Sequence, residues 1–242
     1  ALFWRDLAFV LKDHPAVVGY NLLNEPHPER LFDSTQVHIQ HVKQTEVQAM
    51  LYELYSLIIQ HIRTVDTKTP IIIDSSAYAD PQTFEFLQPH KDENIIYSFH
   101  MYEPYEYTNY KKNKGKYRYP GYVHEKEWNC QELRVYMEAV VKFQKMHCIA
   151  SNRVLVGEFG GNRVSEGLEK YFEDLITIFN KEHWHFAFYA FREDTWEGMD
   201  YELGNKKLPW SYWQALERGE KPQLDRNSDC FPFLVIKNSL VA

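Results

Sequence analysis

Apolar residues recur along the chain with the spacing of helices in some stretches and as short continuous runs in others. The opening stretch, ALFWRDLAFVLKDHP, places apolar side chains at a helical period from Leu2 to Leu11, which predicts a helix. Pro15 closes it, because the residue before a proline avoids the helical region. The continuous apolar runs are typical of parallel strands buried on both faces. We predict five such strands, at about residues 17–23, 70–75, 94–101, 153–158 and 185–191.

Amphipathic stretches separate the predicted strands. Helical stripes of apolar residues run through 36–65 and 133–146, and the segment 80–89 suggests a short helix. A tyrosine-rich segment at 103–124 is predicted to be a loop. Strands that alternate with helices predict an α/β fold, in which helices cover a parallel sheet.

Capping residues mark the last two predicted helices. Ser165 is expected to cap a helix with an apolar stripe over 168–179. Pro209 is expected in the first turn of a final helix, which Gly219 ends.

Composition and charge limit the class of protein. The 242 residues are 44% hydrophobic, enough for one core of the size found in α/β barrels. The net charge is −7, whereas nucleic-acid binding needs a basic patch. The one basic run, at 111–118, is interpreted as a solvated loop. No stretch reaches the ~20 apolar residues of a membrane helix, so we expect neither a nucleic-acid nor a membrane partner.

The cysteines and histidines form no metal-ligand pattern. The cysteines are Cys130, Cys148 and Cys230. No pair has the spacing of a metal site, and three cysteines are not a disulfide framework, although one bridge is possible. The histidine pairs 38/41 and 183/185 are interpreted as surface or packing residues. No glycine-rich phosphate loop follows a strand, so we expect no metal and no cofactor.

Polar and acidic residues follow the predicted strands, in the segments NEPH, DSS, HMYEPY, GEFGG and FREDTW. In a β/α barrel these positions build the active site. Glu25 and Glu158 each stand at the carboxyl end of a strand. Cleavage of a glycosidic bond needs two carboxyl groups, one that protonates the leaving oxygen and one that attacks or activates water. We therefore interpret the two glutamates as a catalytic pair rather than as two solvated carboxylates.

Three neighbouring side chains are candidates for supporting roles. His100 and Tyr102 are two residues apart and therefore point to the same side of a strand. The phenol can hydrogen-bond a nucleophilic carboxylate, and the imidazole can contact sugar hydroxyls. Asn24 can bind the sugar 2-hydroxyl. Their ordinary structural roles would be a core histidine under a tyrosine lid and an asparagine capping a turn.

The order of these motifs resembles glycoside hydrolase family 5, the cellulase-like enzymes. The resemblance rests on NEP, HMY and GEFG and on the lead-in LAFVLKDHPAVVGYNLLNEP, and it spans most of residues 1–204. It implies a (β/α)8 TIM barrel and a retaining β-glycosidase with Glu25 as acid/base and Glu158 as nucleophile. It also implies that Asn24, His100 and Tyr102 bind substrate or orient the carboxylates.

The resemblance has departures. The family often has a tryptophan at the end of its eighth strand, and this side chain forms the base of the sugar-binding site. Near that place this chain has Phe191 and Arg192, with Trp196 a few residues on. We expect Phe191 and Trp196 to contact the sugar, with core packing as the alternative for Phe191. The family also carries an arginine and a histidine on earlier strands, and those strands are absent from this sequence.

The resemblance also numbers the strands. It implies that the five are strands four to eight, with residues 1–221 as a partial catalytic barrel and 222–242 as a tail packing on it. A closed barrel has eight strands in ~250 residues, so we expect strands one to three upstream, in roughly 100 further residues. Because VVGYNLL and HFAFYAF would then be open apolar edges, the 242 residues alone are expected to be poorly stable and inactive.

The leading functional hypothesis is cellulase-like, retaining hydrolysis of a β-linked glucan. Mannan, xylan or exo-β-glucan hydrolysis is an alternative, because specificity in this family lies in loops, here including 103–124 and 192–207. A non-catalytic, carbohydrate-binding barrel is another alternative. The expected partner is an oligo- or polysaccharide, the complete protein is expected to be a monomer, and the resemblance alone favours secretion.

Overall fold

The structure is a computed structural model, which describes residues 1–31, 41–192 and 197–240. Contacts divide the chain into two compact units. Unit 1 comprises Ala1–Met101, Tyr136–Gly157 and Glu182–Ala187. Unit 2 comprises Tyr102–Val135, Glu158–Lys181 and Phe188–Ala242.

Helices and strands follow one another along the described chain. The first elements are α1 (Leu2–Leu11), β1 (Tyr20–Asn21), α2 (His41–Arg63), β2 (Ile71–Asp74), α3 (Ser76–Ala79) and β3 (Ile95–Met101). The middle elements are α4 (Tyr105–Thr108), α5 (Tyr110–Asn113), β4 (Gly121–Val123), β5 (Lys126–Trp128), α6 (Cys130–Tyr136) and α7 (Glu138–His147). The last are β6 (Val154–Phe159), α8 (Leu168–Glu182), β7 (His185–Phe188), α9 (Trp210–Glu217) and α10 (Phe233–Ser239). Short 3₁₀ helices lie at Pro28–Leu31, Pro81–Phe86, Ser151–Arg153, Glu197–Met199 and Tyr201–Leu203.

The five predicted strands are confirmed as members of one sheet. Their order is β1-β2-β3-β6-β7, with β1 and β7 at the two ends. β1 pairs with β2 and β2 with β3 in parallel, so that Tyr20 lies opposite Ile71 and Ile71 opposite Ile95. The assignment of these strands as the fourth to eighth of a barrel stays a prediction.

The two end strands are shorter than predicted. β1 covers Tyr20–Asn21 instead of 17–23, although the N–H of Leu22 still donates to the Ile72 carbonyl at 3.1 Å. Val18 is 83% exposed, so the run is not buried on both faces. A strand at the end of a sheet buries only alternate residues, here Tyr20 and Leu22. β7 ends at Phe188 instead of 191.

The core of unit 1 is aromatic. The ring of Phe84 meets those of Phe99 and Phe143 edge-on, with centroids 5.9 and 5.4 Å apart, and Phe99 meets Trp184 in the same way at 5.4 Å. These side chains are almost fully buried, so α7 and the 3₁₀ helix at Pro81–Phe86 pack tightly against β3, the strand that carries His100.

The prediction of a loop at 103–124 is wrong. This part of unit 2 contains α4, α5 and the first strand of an antiparallel hairpin, β4–β5. Asn113 holds the segment together: its amide donates to the carbonyls of Tyr107 and Tyr117, and its Oδ1 accepts the N–H of Tyr117. Tyr107 and Tyr119 are buried in the core of unit 2. The basic side chains of 111–118 are exposed, as expected, although two of them lie in α5.

Two helix predictions need correction. The stripe at 133–146 is two helices, α6 and α7, interrupted at Met137. α8 begins at Leu168, and the Ser165 hydroxyl donates to the Tyr107 carbonyl at 3.4 Å rather than capping it. α2 lies within the predicted 36–65, of which residues 36–40 fall outside the described chain.

The end of the chain packs within unit 2. α9 begins after Pro209 and is succeeded by Gly219, but Pro209 is its N-cap instead of part of its first turn, and α10 follows, so α9 is not the final helix that the sequence predicted. Beyond it, Arg226 bonds Asp200 at 2.7 Å, and the Phe233 ring lies 6.1 Å from that of Phe188. The domain boundary at 221 stays a prediction. Over the described residues, no helix combines the length and apolar character needed to span a membrane, and all three cysteines are free thiols.

Candidate active site

Glu25 lies in a tight turn after β1 rather than at the strand end. Its backbone is left-handed, with φ 49°, a conformation that non-glycine residues rarely adopt. The turn is held from two directions: the Glu25 N–H donates to Asp74 Oδ2 at 3.1 Å, and His27 Nδ1 lies 3.0 Å from the Glu25 carbonyl. The side chain itself is about one-third exposed, so the turn presents a half-buried carboxyl group.

His100 joins two carboxyl groups within unit 1. Its Nδ1 lies 2.9 Å from Glu25 Oε1, and its Nε2 lies 3.5 Å from Asp74 Oδ2. The imidazole is buried, with 3% of its side chain exposed. Sequence reasoning expected this ring to contact sugar hydroxyls or to orient a carboxylate, and in the structure it lies beside the Glu25 carboxyl group.

Gly157 makes room for the imidazole. A Cβ at this position would lie 3.1 Å from His100 Nε2 and 2.6 Å from the Ser98 hydroxyl. The second distance is shorter than non-bonded contacts allow, so any larger residue would push against the His100 side of β3. The closeness of His100 and Ser98 therefore explains why the residue before Glu158 is a glycine.

Glu158 lies in β6, one residue before its end, and belongs to unit 2. The Tyr102 hydroxyl donates to Glu158 Oε2 at 2.7 Å, which confirms the predicted contact. A hydrogen bond of this kind favours a carboxylate in its ionised form. It also orients the carboxylate, because a short phenol–carboxylate bond is directional.

Backbone contacts fix the chain just beyond Glu158. The Tyr201 hydroxyl donates to the Tyr189 carbonyl at 2.6 Å and accepts the N–H of Gly161 at 3.2 Å. A Cβ on Gly160 would lie 2.5 Å from the Tyr189 carbonyl oxygen. The second glycine of GEFG therefore permits the close approach of the ends of β6 and β7. Sequence reasoning missed Tyr201.

The remaining predicted site residues are placed as follows. Asn24 is exposed in the turn beside Glu25. Phe191 is 60% exposed; its ring centroid lies 6.3 Å from that of Phe233, and the Arg192 guanidinium sits 4.9 Å above it. Trp196 lies outside the described residues. Tyr189, partly exposed at the end of β7, is a further aromatic candidate.

Asp74 is the main residue that sequence reasoning missed. It ends β2 and is 1% exposed. Its Oδ1 accepts from the Asn21 amide at 3.1 Å, and its main-chain carbonyl accepts the Tyr55 hydroxyl at 3.0 Å. The sequence did contain a signal for Asp74. An acidic residue ends the apolar run PIII, just as Glu25 and Glu158 end the apolar runs of their predicted strands.

A stacked ring pair stands beside this group. The rings of His27 and Tyr78 are nearly parallel, with centroids 4.4 Å apart, and Arg30 lies 5.5 Å above the Tyr78 ring. Tyr78 is held in a left-handed turn at α3, which the buried Glu29 supports by accepting the N–H of Ala77. Both rings are partly exposed.

The side chains of Glu25, His100 and Asp74 include oxygen and nitrogen donors that divalent metals accept. Each already takes part in the hydrogen-bonded or ion-pair contacts given above. Hydrolysis by two carboxyl groups and water requires no metal.

A parallel sheet with helices between its strands, with one glutamate in β6 and another in the turn after β1, fits the arrangement of the barrel glycoside hydrolases. The sequence matches the family Cellulase (glycosyl hydrolase family 5) over residues 1–215. The chain therefore belongs to glycosyl hydrolase family 5.

Solved structures show the same fold. The endoglucanase Cel5A from the hyperthermophile Thermotoga maritima is 22% identical with a TM-score of 0.61, and its complex with cellobiose is 21% identical with a TM-score of 0.60. Both alignments cover 81% of this chain and 61% of that chain. The Pseudomonas stutzeri endoglucanase Cel5A is 21% identical with a TM-score of 0.51, and the alignment covers 78% of this chain and 51% of that chain. The chain thus spans about three-fifths of the Thermotoga structures. No curated protein matches it.

Proposed function

We propose that the chain carries the catalytic pair of a retaining β-glycosidase that cleaves a β-linked glucan. Glu25 is the acid/base and Glu158 is the nucleophile. The observation that carries this proposal is that each glutamate has a dedicated side-chain partner, His100 for Glu25 and Tyr102 for Glu158. Two solvated carboxylates at the starts of loops would hydrogen-bond to water instead of to buried or half-buried side chains.

The first step forms a glycosyl-enzyme. Glu158 attacks the anomeric carbon while Glu25 gives its proton to the leaving oxygen, so one glycosidic bond breaks as one ester bond forms. Tyr102 keeps Glu158 oriented for attack through the 2.7 Å bond. Asn24 supplies an amide for the sugar 2-hydroxyl, the contact that strengthens as positive charge develops on the ring.

The second step releases the sugar. Glu25, now ionised, takes a proton from water, and the resulting oxygen nucleophile attacks the anomeric carbon and frees Glu158. Two inversions at the same carbon retain the β configuration. This sequence requires carboxyl groups ~5–5.5 Å apart, whereas an inverting enzyme needs ~6.5–9.5 Å.

Aromatic side chains would bind the sugar rings by stacking. Phe191 and Trp196 remain the proposed platforms beyond β7. The exposed faces of Tyr189 and of the His27–Tyr78 pair are additional surfaces of this kind.

A β-1,4-glucan is the favoured substrate, with β-mannan as the second candidate. The Thermotoga maritima relative has been solved with cellobiose and also with mannotriose, and both structures resemble this chain at a TM-score of 0.60. The loops proposed to choose between glucan and mannan include 192–207, of which 193–196 lie outside the described residues.

Hydrolysis of a dye-releasing β-cellobioside and β-mannobioside by the full-length protein tests the proposal. We expect wild-type activity on the cellobioside, retention of the β-anomer, and a loss of 10³-fold or more in Glu158→Gln, because an amide is a far poorer nucleophile. Glu166→Gln is the matched control, since Glu166 is an exposed glutamate of the same unit. Binding of sugar without hydrolysis by the wild type would instead establish a carbohydrate-binding protein.

A further inference from the structure

The buried carboxylate of Asp74 has no role in the two-step reaction described above, yet it contacts the acid/base glutamate in two ways. Its Oδ2 accepts the N–H of Glu25 at 3.1 Å and lies 3.5 Å from His100 Nε2. His100 in turn reaches the Glu25 carboxyl group at 2.9 Å. All three residues belong to unit 1.

Burying a carboxylate is costly unless its oxygens accept hydrogen bonds, and both oxygens of Asp74 do. It is 1% exposed and accepts hydrogen bonds from the Asn21 amide and the Glu25 backbone. Both of its oxygens therefore act as acceptors. The third polar group beside it, His100 Nε2, is then favoured to carry a proton toward it.

With Asp74 ionised and facing Nε2, we expect a neutral His100 to carry its proton on Nε2. A neutral imidazole has one N–H and one lone pair. With the proton on Nε2, facing Asp74, the lone pair on Nδ1 faces Glu25 Oε1. A contact of 2.9 Å between that lone pair and an oxygen is a hydrogen bond only when the oxygen carries a proton. The carboxylic acid form of Glu25 is the form that protonates the leaving oxygen.

We propose that Asp74 is a positioning residue for the acid step: it fixes the His100 tautomer with Nε2–H and holds the left-handed backbone of Glu25, so that the acid proton of Glu25 is hydrogen-bonded to Nδ1 before the reaction. The 3.5 Å separation from Nε2 is of the kind that catalytic contacts show before substrate binds. This inference rests on the proposed function of Glu25.

Asp74→Asn tests the proposal with nearly the same shape. The Glu25 N–H and His100 Nε2 both face the Oδ2 position, and the Asn21 amide faces the Oδ1 position. An amide nitrogen at the Oδ2 position gives up the bond from the Glu25 backbone and can only donate to His100 Nε2, which moves the imidazole proton to Nδ1. An Asp-to-Asn change beside a catalytic histidine in serine proteases acts through the same wrong tautomer. Nδ1–H then donates to Glu25 and favours its ionised form.

The activity readout is the dependence on leaving group. In the full-length protein, kcat/KM of Asp74→Asn is expected to fall about 10²-fold on an unactivated cello-oligosaccharide. On a dinitrophenyl cellobioside, which needs no protonation, it should stay within about threefold. Asp66→Asn is the matched control, because Asp66 is an equally buried carboxylate of unit 1 that binds Tyr20 and the N–H groups of Lys68 and Thr69. Equal losses of Asp74→Asn on both substrates would overturn the proposal.

A second readout needs no activity. The ¹⁵N spectrum of histidine-labelled protein, with His100 assigned through His100→Gln, should show Nε2–H in the wild type and Nδ1–H in Asp74→Asn. An Nδ1–H tautomer in the wild type would refute the inference.

Glu25→Gln, measured on the same two substrates, separates the two claims. If it shows no difference between substrates, the proposed role of Glu25 fails. If it shows that difference while Asp74→Asn does not, only the role of Asp74 fails.

Discussion

At the scale of single residues, the two glutamates are held by different means. Glu25 is fixed through its backbone and through an imidazole, in a turn whose left-handed residue costs free energy that the surrounding hydrogen bonds must offset. Glu158 sits in a regular strand, and the Tyr102 phenol orients its carboxylate. The proposed acid/base is thus embedded in a network of hydrogen bonds, and the proposed nucleophile is a strand residue whose carboxylate accepts a directional bond from a phenol.

Tyr102→Phe removes the bond to Glu158 without changing the ring. We expect kcat/KM to fall about 10- to 100-fold on activated and unactivated substrates alike, because the nucleophile acts on both, with the melting temperature changed little. Steady-state kinetics on the two substrates measure this. Tyr122→Phe, an exposed tyrosine of the same unit, is the control, and equal activity of the two variants would contradict the role given to Tyr102.

Gly157→Ala tests the space reserved for His100. The added Cβ must displace the imidazole or the Ser98 hydroxyl, and a misplaced group near the reaction centre is costly. We expect kcat/KM to fall about tenfold or more. In the double variant Gly157→Ala/Ser98→Ala the contact with the hydroxyl is gone while the contact with the ring remains. If kcat/KM of the double variant returned to the wild-type value, Gly157 would accommodate the Ser98 hydroxyl and not the His100 ring, which would contradict the prediction.

At the scale of elements, sequence patterns predicted best the helices with an apolar stripe and the inner strands made of a continuous apolar run. The stripes of α2 and α8 and the runs of β2, β3 and β6 were placed within a few residues. The segment 103–124 was not, because its buried tyrosines alternate with exposed lysines over elements of three or four residues, too short for a period to show. The Asn113 contacts that organise it join residues whose relation is visible only in three dimensions.

The packing of α2 against the loop before β3 contains a pH-sensitive histidine. The His90 ring stacks on Tyr52 at 4.3 Å. Burial lowers the pKa of His90 from 6.5 to about 4, although Asp92 nearby acts to raise it. Because the unfolded chain binds this proton more readily, the stabilising contribution is complete above pH ~6.5 and is lost as the pH falls toward ~4.

His90→Phe keeps a ring for stacking and removes the titration. The free energy of unfolding of the wild type should fall by up to about 1.4 kcal/mol more per pH unit than that of the variant between pH 6.5 and 4. Urea unfolding at several pH values measures the difference, with His14→Phe, at an exposed position, as the control. Parallel pH curves for wild type and His90→Phe would contradict the burial argument.

At the scale of the whole molecule, the fold class was predictable because the alternation of strands and helices survives errors of several residues at each boundary. Glu25 and Glu158 could be singled out from the sequence because each lies at the end of a predicted strand, and their catalytic roles stay predictions. Asp74 and Gly157 could not be assigned roles from sequence, since their effect is to place His100, and that requires knowing which strands are neighbours. The barrel numbering, the boundary at 221 and the monomeric state stay predictions.

α1 presents apolar side chains to solvent, and this predicts association. Leu2, Phe3, Phe9 and Val10 are all exposed on this helix, and exposed apolar patches favour contact with other apolar surfaces. The 242-residue chain should bind a hydrophobic fluorescent dye, and Phe3→Gln/Val10→Gln should reduce the signal at least twofold. Arg5→Gln/Asp6→Asn, an exposed polar pair on the same helix, is the control. An unchanged dye signal in Phe3→Gln/Val10→Gln would exclude this face of α1 as the binding surface.

The central claim, that Glu158 is the nucleophile of a retaining glycosidase, is tested most directly by trapping the glycosyl-enzyme. A dinitrophenyl 2-deoxy-2-fluoro-cellobioside reacts quickly with such an enzyme and is released slowly, because the fluorine destabilises the oxocarbenium-like states of both steps. Peptide mapping by mass spectrometry of the inactivated full-length protein should place one fluorosugar on Glu158 and none after Glu158→Gln. Label on any other residue, or hydrolysis with inversion and no label, would contradict the account.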